Sequence, residues 1–332
     1  MEKNTDSGFT VKESLLSFFD RNRGEFLSGQ DLAARFSVSR NAVWKAVRAM
    51  KEEGVPLESD ARGYLLPEGA DLLSAPLLAA ACPDFYRFEY LPSADSTNRL
   101  LKARAAGEKE GLVLVAGTQT AGHGRFARTF ASPPGCGLYM SLLLRPSLPA
   151  AQAVFLTTAA AVAVAEAAEA LTGEAFGIKW VNDVYRGEKK VCGILTEGAL
   201  SFETGTLEHA VLGIGVNVTP PAGGFPPDLA GTAGTVFSSP VPNARLRMAG
   251  EILSRFLPFY RELSAAPFRA GYRARSFLIG RRVLVSFPAW DRPARSAAAL
   301  GIDDGFRLLV RYDDGTEEAL GSGEVSVKKE GN

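Results

Sequence analysis

The chain has 332 residues, 46% of them hydrophobic, and its 37 Lys and Arg balance 37 Asp and Glu to a formal net charge of +0. This length accommodates two or three domains of roughly 100–200 residues each, with a sizeable packed core. The neutral balance excludes binding of nucleic acid through overall charge, so any such affinity must come from a local basic patch.

The cysteines and the start of the chain indicate a reducing compartment. Cys82, Cys136 and Cys192 lack C-x-x-C spacing, which argues against a disulfide framework and against a zinc site. The opening MEKNTDSGFT holds no apolar run, so no signal peptide is expected. The alanine-rich stretch at residues 150–170 contains two glutamates and predicts a buried helix, not a membrane span. We expect a cytoplasmic protein without a membrane partner, and we assign no metal ligands.

Residues 1–68 are predicted to form a separate small domain. Ser28 precedes Asp31 by three residues, the spacing of a capping box, and Ser39 can cap the next helix. That next helix carries apolar residues at every third or fourth position, which predicts one buried stripe. The predicted elements are helices at residues 11–21, 28–36 and 39–51 and a hairpin at residues 55–66. This order is that of a winged helix-turn-helix.

The outward face of the third helix is basic. Basic side chains there can neutralise phosphates, and residues near the helix N-terminus can reach base edges in the major groove. The tip of the hairpin can contact the DNA backbone or the minor groove. The candidate DNA-binding residues are Ser39, Arg40, Asn41, Lys45, Arg48 and Arg62. The alternative is a solvated helical hairpin that binds no DNA, because the acids of this unit about balance its bases.

Residues 69–272 alternate between strand and helix patterns. This alternation predicts an α+β domain built on a mixed sheet with helical cover. The predicted strands lie at residues 85–91, 112–118, 137–144, 177–180, 189–198 and 210–218, and the predicted helices at residues 96–106, 150–171 and 245–262.

Two polar or glycine-containing motifs in this domain are candidate ligand contacts. Asp95-Ser96-Thr97-Asn98 lies at a strand–helix junction, where its hydroxyls and amide can hydrogen-bond a small polar ligand or simply cap the helix. Residues 213–218 read G-I-G-V-N-V. Such glycines either let a ligand approach the backbone closely or mark a bend or bulge in the sheet.

Residues 119–130 read Q-T-A-G-H-G-R-F-A-R-T-F and place Arg125 and Arg128 in a glycine-punctuated loop. The segment matches neither G-x-x-x-x-G-K-[ST] nor a strand-flanked G-x-G-x-x-G. We interpret it as a mobile basic loop that orders over an anionic ligand; the alternative is an ordinary surface loop. Cations on a flexible backbone suit a site that holds and splits a polyphosphate without a covalent nucleophile.

Lys179 begins the motif K-W-V-N-D within the predicted strand at residues 177–180, after a short apolar stretch and just before Trp180. It is a candidate to neutralise charge on a transferring phosphate, unless its stem merely lies along Trp180 with the ammonium in solvent. Asn182 and Asp183 can cap the next turn or help to orient a metal ion. The chain has 2 histidines, and they form no confident Ser-His-Asp or Cys-His arrangement, so acyl-enzyme chemistry is not expected.

Residues 273–332 predict a small β module. Asp303-Asp304-Gly305 and Asp313-Asp314-Gly315 supply turns between short strands. The predicted strands lie at residues 281–287, 294–302, 306–312 and 316–327. Their pattern suits a small SH3-like barrel.

Taken in order, the motifs resemble those of the bifunctional biotin–protein ligase and biotin operon repressor family. The resemblance runs through the winged helix, D-S-T-N, Q-T-A-G-H-G-R, K-W-V-N-D, G-I-G-V-N-V and the terminal barrel, and it covers nearly the whole chain. It implies a biotin/lipoate-ligase-like central domain with ATP and biotin as substrates. Biotin's carboxylate would attack the α-phosphate, giving biotinyl-5′-AMP and pyrophosphate, and a lysine of a biotin carboxyl carrier domain would then take the biotinyl group.

The resemblance also assigns roles to residues. The implied biotin and adenylate contacts are Ser96, Thr97, Asn98, Gln119, His123, Gly124, Arg125 and Lys179. Lys179, Arg125 and Arg128 are the implied catalytic residues, because with Mg²⁺ they would offset the charge that develops around the α-phosphate. The loop departs from the family pattern G-R-G-R-x-G-R-x-[WF]. His123 replaces its first arginine and Ala127 a glycine, so charge and backbone freedom differ there, and Phe130 stands where some members have tryptophan.

The family further implies regulation by the ligand. The liganded protein would form a homodimer through the central domain and bind the operator of biotin genes, with biotinyl-5′-AMP as corepressor. Three alternatives remain: a lipoate–protein ligase, a ligand-sensing transcription factor with an inactive domain, and a monofunctional ligase whose N-terminal domain binds no DNA. The winged helix and the lack of an R-R-x-x-G-G-G stretch argue against the first, and Lys179, Arg125 and Arg128 argue against the second.

Overall fold

A computed structural model describes residues 10–52, 55–200, 205–287, 292–322 and 326–329 of the chain. Their buried hydrophobic residues form three clusters, one in the N-terminal domain and one on each face of a large central sheet. The largest cluster continues from the central domain into the C-terminal module without a break. The central domain and the C-terminal module therefore share one hydrophobic core.

The N-terminal domain has the predicted winged helix-turn-helix order. Its elements are α1 (Val11–Arg21), α2 (Gly29–Arg35), α3 (Arg40–Glu52), β1 (Glu58–Asp60) and β2 (Gly63–Leu65). Both predicted caps form: the Ser28 hydroxyl accepts a hydrogen bond from the Asp31 amide, and the Ser39 hydroxyl accepts one from the Ala42 amide, each at 3.1 Å. The apolar stripe of α3 is buried among residues of α1 and α2. This burial leaves the polar face of α3 on the surface.

A seven-stranded mixed sheet forms the centre of the molecule, as predicted. Its strands are β3 (Arg87–Leu91), β4 (Leu112–Ala116), β5 (Gly137–Leu144), β6 (Gly177–Lys179), β7 (Asp183–Arg186), β8 (Lys189–Leu200) and β9 (Leu207–Asn217). They lie side by side in the order β3-β4-β5-β9-β8-β7-β6. β3 and β4 are parallel, and the other neighbours are antiparallel.

Helices cover both faces of this sheet. They are α4 (Ala75–Ala81), α5 (Thr97–Arg104), α6 (Val154–Thr172), α7 (Pro227–Ala230), α8 (Ala244–Arg261) and α9 (Arg269–Arg275). Successive side chains of a strand point to opposite faces, so Val113 and Val115 of β4 join the cluster under α6 and α8, whereas Leu112 and Leu114 join the one under α5. α5 thus packs against the sheet face that carries Leu112 and Leu114.

α6 is the described helix that is long and apolar enough to cross a membrane. With the turn before it, it spans Ala150–Thr172, and 72% of its most apolar window is buried inside the protein. It packs against α8, α9 and the central sheet, and it ends at Gly173 in the left-handed conformation with a φ of 73°. It is therefore the buried core helix that the sequence predicts.

The C-terminal module is a five-stranded antiparallel sheet. Its strands are β10 (Arg282–Phe287), β11 (Arg292–Ile302), β12 (Leu308–Tyr312), β13 (Glu317–Leu320) and β14 (Ser326–Lys329), in the order β13-β12-β11-β10-β14. The prediction of a small β module is confirmed, but the single strand expected at residues 316–327 is wrong. β13 pairs with β12 and β14 pairs with β10, so the chain must leave one edge of the sheet before it reaches the other.

The sequence-based prediction lacks α4, α7, α9 and β7 and places a domain boundary inside α9. α4 is apolar on almost every side and therefore shows no periodicity. α9 buries a single residue, Tyr272, within a polar sequence. β7 has four residues, too few for a pattern to stand out. α4 and α9 are held by tertiary packing, which local sequence does not report, and α7 is a single turn without a buried residue.

Candidate active site

One cavity collects motifs that lie far apart in the sequence. Its walls are the first turn of α5, the loop between β4 and β5, the segment of residues 179–183 that joins β6 to β7, and strands β8 and β9. Val327 of β14 also reaches it. Every predicted active-site residue lines this cavity, namely Ser96, Thr97, Asn98, Gln119, His123, Gly124, Arg125, Arg128 and Lys179.

Gln119 connects α5 to the loop that follows β4. Its Oε1 accepts a hydrogen bond from the Thr97 amide at 2.9 Å, and its Nε2 donates to the Ser132 hydroxyl at 3.0 Å. Ser96 also caps α5, because its hydroxyl accepts from the Arg99 amide at 3.5 Å. Capping and lining of the cavity are therefore compatible at this junction: the helix cap is observed, and contact with a ligand stays a prediction.

The side chain of Asn98 is buried and its amide is fixed at both ends. Its Oδ1 accepts from the Ser141 hydroxyl at 2.6 Å, and its Nδ2 donates to the Glu197 carboxylate at 3.1 Å. A Cβ atom added at Gly213 would lie 2.2 Å from Asn98 Oδ1. The glycine at position 213 therefore makes the room in which the Asn98 amide lies.

Two further glycines make room for the ring of Phe130. A Cβ atom at Gly215 would lie 2.6 Å from the Phe130 ring, and one at Gly193 would lie 3.3 Å from it. β9 keeps a regular register with both neighbours through the G-I-G motif, so the bulge considered for this motif is wrong. The glycines do allow a close approach to the backbone of β9, but the groups that approach it are the side chains of Asn98 and Phe130.

The loop arginine Arg125 reaches across the cavity. It lies in a single 3-10 turn, Arg125–Ala127, and donates to Asn182 Oδ1 at 3.3 Å and to the Ser322 carbonyl of the C-terminal module. Burial lowers the pKa of the Arg125 guanidinium from its ordinary value. One side chain thus ties the loop both to the segment of residues 179–183 and to the C-terminal module.

His123 lies between a hydroxyl and a carboxylate. Its Nδ1 is 3.4 Å from the Ser96 hydroxyl, and its Nε2 is 3.8 Å from the Glu197 carboxylate. Burial by itself would raise the pKa of Glu197, but hydrogen bonds from Lys102 and Asn98 outweigh it and leave that pKa below its ordinary value. His123, which departs from the family pattern that the sequence resembles, therefore faces an ionised carboxylate.

Lys179 and its neighbours make one end of the cavity cationic. The Lys179 ammonium lies 5.9 Å from the centroid of the Tyr185 ring. Lys190, which the sequence-based prediction does not include, also lines the cavity and pairs with the Asp183 carboxylate at 2.7 Å. With Arg125 and Arg128, these lysines create a site suited to an anionic ligand.

The side-chain oxygens of the cavity decide whether a divalent cation fits there. Among the residues that the structure describes, no group of three or more His, Cys, Asp or Glu side chains could enclose a metal ion. Asp183 and Asn182 line the cavity beside Lys179, and Asn182 Nδ2 donates to Asp183 Oδ1 at 3.1 Å. Proteins usually hold Mg²⁺ through one or two carboxylates together with substrate phosphates. Asp183 fits that arrangement, and an all-protein cage does not.

Several residues that shape the site are missing from the sequence-based prediction. Ser141 has the clearest signal, because it is a small hydroxyl inside the fully buried strand β5. Ser132 and Glu197 have no such signal, since a serine in a loop and a glutamate at a strand end are common on surfaces. Their roles depend on contacts between distant segments.

The candidate DNA-binding residues share one surface of the N-terminal domain. Ser39, Arg40, Asn41, Lys45, Arg48 and Arg62 are all exposed. Arg40 and Asn41 line a groove between α3 and the β1–β2 hairpin together with Trp44, which is 48% exposed. Arg62 at the tip of the hairpin stacks over the Phe26 ring at 3.7 Å. Trp44 is thus a further candidate contact on this surface.

Comparison with known proteins covers both functional surfaces. A helix-turn-helix domain model matches residues 11–65, and the model of the biotin/lipoate A/B protein ligase family matches residues 90–217. The bifunctional ligase/repressor BirA of Bacillus spizizenii is 32% identical over 320 residues, which are 93% of this chain and 96% of that protein. The biotin–[acetyl-CoA-carboxylase] ligase of Mycobacterium tuberculosis is 33% identical over 241 residues, 70% of this chain and 86% of that protein.

Solved structures agree with these matches. The biotin protein ligase from Aquifex aeolicus, determined in complex with biotin and ATP, has a TM-score of 0.59 and 27% sequence identity. The similarity covers 73% of this chain and 98% of that chain. The chain is thus similar in sequence to a bifunctional ligase/repressor over nearly its whole length, and similar in fold to a biotin protein ligase over 73% of its length.

Proposed function

The chain belongs to the family of bifunctional biotin ligase/repressors, and on that premise we propose that its cavity forms biotinyl-5′-AMP and then biotinylates a carrier protein in the cytoplasm. The observation that supports this most strongly is the convergence of a hydroxyl- and amide-lined end and a cationic end in one cavity. The first suits a small polar head group, and the second suits a polyphosphate.

Biotin's head group is proposed to bind among Ser96, Thr97, Asn98 and Gln119. These side chains are held by Ser132, Ser141 and Glu197 and so need little reorganisation on binding. A ureido group needs both donors and acceptors, and hydroxyls with amides offer both. The His123 and Gly124 part of the loop borders the same end.

The carboxylate and phosphates are proposed to meet at the cationic end. A carboxylate oxygen of biotin forms a bond to the α-phosphorus of ATP while the bond to the β-phosphate oxygen breaks and pyrophosphate leaves. Negative charge builds at the α-phosphate in the transition state, and the positive charges of Lys179, Arg125 and Arg128 are proposed to lower the energy of that state. In the second step the carrier lysine's amine bonds to the biotinyl carbonyl carbon, and AMP leaves with the electrons of the broken anhydride bond.

Asp183, with Asn182 beside it, is the group that would hold Mg²⁺ against the phosphates. Bound there, Mg²⁺ would neutralise phosphate charge. Lys190 pairs with Asp183 at 2.7 Å, so the carboxylate is already fixed in place by a neighbouring cation.

The loop of residues 119–130 is proposed to retain the adenylate. Arg125→Gly is expected to raise the rate at which biotinyl-5′-AMP escapes by about 10-fold or more, because the glycine loses the contacts to Asn182 and Ser322. Biotinylation of non-carrier proteins rises as a result. Dissociation of radiolabelled adenylate and blotting of a mixed protein sample measure the two effects. Escape at the wild-type rate would contradict the role of Arg125, and Arg87→Ala is a matched surface control.

The choice between biotin and lipoate is tested by pyrophosphate release. The wild-type protein with ATP is expected to release pyrophosphate with biotin and not with lipoate. Preference for lipoate would place the chain with the lipoate ligases of the same broad family. Release with neither acid would support a sensor with an inactive domain.

Regulation is proposed to run through the N-terminal domain. When carrier protein is scarce, biotinyl-5′-AMP stays bound, the protein forms a homodimer through the central domain, and the exposed surface of α3 and the hairpin binds operator DNA. The supporting observation is the exposed groove between α3 and the hairpin, which Arg40, Asn41 and Arg62 line.

Biotin together with ATP is expected to tighten binding to the DNA upstream of the organism's biotin genes by at least about 10-fold. A gel shift with and without the two substrates measures this. In a salt titration, Arg40→Ala is expected to reduce the slope of log K against log salt by about one if Arg40 contacts a phosphate. Binding unaffected by biotin and ATP would contradict the circuit while leaving the ligase intact.

A further inference from the structure

The C-terminal module contains two turns of the same sequence type that differ in backbone conformation. In Asp313-Asp314-Gly315 the glycine adopts the left-handed conformation, with a φ of 87°. In Asp303-Asp304-Gly305 it is the next residue, Phe306, that adopts it, with a φ of 59°. A bulky residue rarely occupies this region, and it remains there only where surrounding contacts compensate the strain.

The contacts of Phe306 are extensive and lie in the central domain. The residue is 1% exposed. The centroid of its ring lies 5.1 Å from that of Phe155 in α6. It lies 5.6 Å from the ring centroid of Phe268, which precedes α9, and 5.3 Å from that of Tyr272 within α9. Aromatic pairs at these centroid separations attract each other beyond the effect of burial alone. The tip of the β11–β12 turn thus inserts into the core of the central domain.

Two buried hydrogen bonds connect this cluster to the segment of residues 179–183. The Trp180 indole Nε1 donates to the Phe306 carbonyl at 2.9 Å. The Tyr272 hydroxyl donates to the Val181 carbonyl at 3.0 Å, and its ring packs edge-on against Phe306. Both bonds flank positions from which Lys179 and Asp183 line the cavity.

We propose that Phe306 is a positioning residue for adenylation, which fixes the segment of residues 179–183 so that its cation and carboxylate face the phosphates of ATP. This inference rests on the ligase activity proposed above. Phe306 and Tyr272 do not line the cavity, whereas Trp180 does, so Phe306→Leu is the variant that tests support from outside the site. A displacement of about 1 Å at a reacting group can reduce a rate by about 100-fold, so loss of this support is expected to affect chemistry.

The effect is expected at the ATP end and not at the biotin end. The head-group residues Thr97, Asn98 and Gln119 are held by hydrogen bonds to Ser132, Ser141 and Glu197, all within the central domain. Phe306 has none of these partners among its described contacts. Biotin affinity therefore serves as an internal reference.

The test uses the full-length protein with Phe306→Leu and Trp180→Phe. Phe306→Leu keeps an apolar side chain but loses the ring contacts, and Trp180→Phe keeps a ring but loses the N–H donor. Each is expected to lower kcat/KM for ATP in biotin-dependent pyrophosphate release by about 10- to 100-fold, with the Kd of biotin within about two-fold of wild type. The double variant is expected to be little worse than the poorer single variant, because the two changes disturb one chain of support. The Phe306 ring anchors the turn, and the backbone carbonyl of that turn accepts the Trp180 N–H.

Phe256→Leu is the matched control. Phe256 is fully buried in α8 and stacks on Tyr260 at 5.9 Å, so its truncation lowers Tm without touching the segment of residues 179–183. Its kcat/KM for ATP is expected to stay near that of wild type. If the two test variants match Phe256→Leu, or if their biotin affinity falls in parallel, the positioning role of Phe306 is wrong. A wild-type protein that releases no pyrophosphate would instead contradict the proposed ligase function.

Discussion

Lys179→Ala is expected to lower biotin-dependent pyrophosphate release by about 10²- to 10³-fold, the loss typical of removing one preorganised group that stabilises charge in a transition state. Lys179 ends β6 and lines the cationic end of the cavity. Its ammonium is proposed to meet the charge that develops as the biotin carboxylate bonds to the α-phosphate. β6 fixes Lys179 on the sheet, whereas Arg125 and Arg128 lie on a loop, so we expect the two arginines to compensate poorly for its loss.

Steady-state pyrophosphate release at saturating biotin measures this effect. Lys109→Ala, which removes an exposed lysine outside the cavity, is the matched control and is expected to keep full activity. The Tm of both variants is expected to stay close to that of wild type, since neither lysine is buried. Activity of Lys179→Ala within a few-fold of wild type would refute the assigned role.

Gly213→Ala is expected to weaken biotin binding by about 100-fold. The added Cβ would lie 2.2 Å from Asn98 Oδ1, so the Asn98 amide must move. Its displacement breaks the hydrogen bonds with the Ser141 hydroxyl and the Glu197 carboxylate, so the buried Asn98 amide loses its partners. Ser141 still has Thr97 Oγ1 at 2.7 Å, and Glu197 still has Lys102 at 2.9 Å. An unsatisfied buried polar group costs roughly 1–3 kcal/mol, and about 2.7 kcal/mol corresponds to the expected loss in affinity.

Calorimetric titration with biotin measures the loss. Gly301→Ala is the matched control, because a Cβ at position 301 would meet nothing within 4 Å. In a cycle with Asn98→Ala, the Gly213→Ala change should add little, since the clashing amide is then absent. If Gly213→Ala binds biotin within about three-fold of wild type, biotin binding does not depend on the observed position of the Asn98 amide.

Much of the fold was accessible from sequence because local signals agreed with tertiary structure. The apolar stripe of α3 and the caps at Ser28 and Ser39 correspond to observed contacts. β5, predicted at residues 137–144, forms as Gly137–Leu144. These elements carry strong periodicity or continuous apolar runs, which decide their type before any packing is considered.

Much of the candidate site was accessible for a different reason. Its residues fall in short motifs whose order along the chain is informative, even though each motif alone has an ordinary structural explanation. The motifs do not contain the residues that hold the cavity-lining side chains in place. Ser141 fixes Asn98 across 43 positions of sequence, and Phe306 meets Trp180 across 126. No local pattern reports a contact of that length.

The glycines of the G-I-G motif show the same limit. Their sequence context allows a bulge or a ligand approach, and it contains no reference to Phe130 or Asn98. Only the assembled sheet shows that these two side chains occupy the missing Cβ positions at Gly215 and Gly213. The requirement for glycine at positions 213 and 215 therefore becomes visible only when Asn98 and Phe130 are in their folded positions.

The central claim is that one cavity makes an activated biotin, keeps it, and passes it to a carrier. Its most direct test is a chase with the full-length protein. The protein is loaded with radiolabelled biotin and ATP, freed of unbound nucleotide, and then mixed with a biotin carboxyl carrier domain. We predict that the label moves to the carrier lysine without further ATP. Label that stays on the ligase, or that moves only when fresh ATP is added, would contradict the claim.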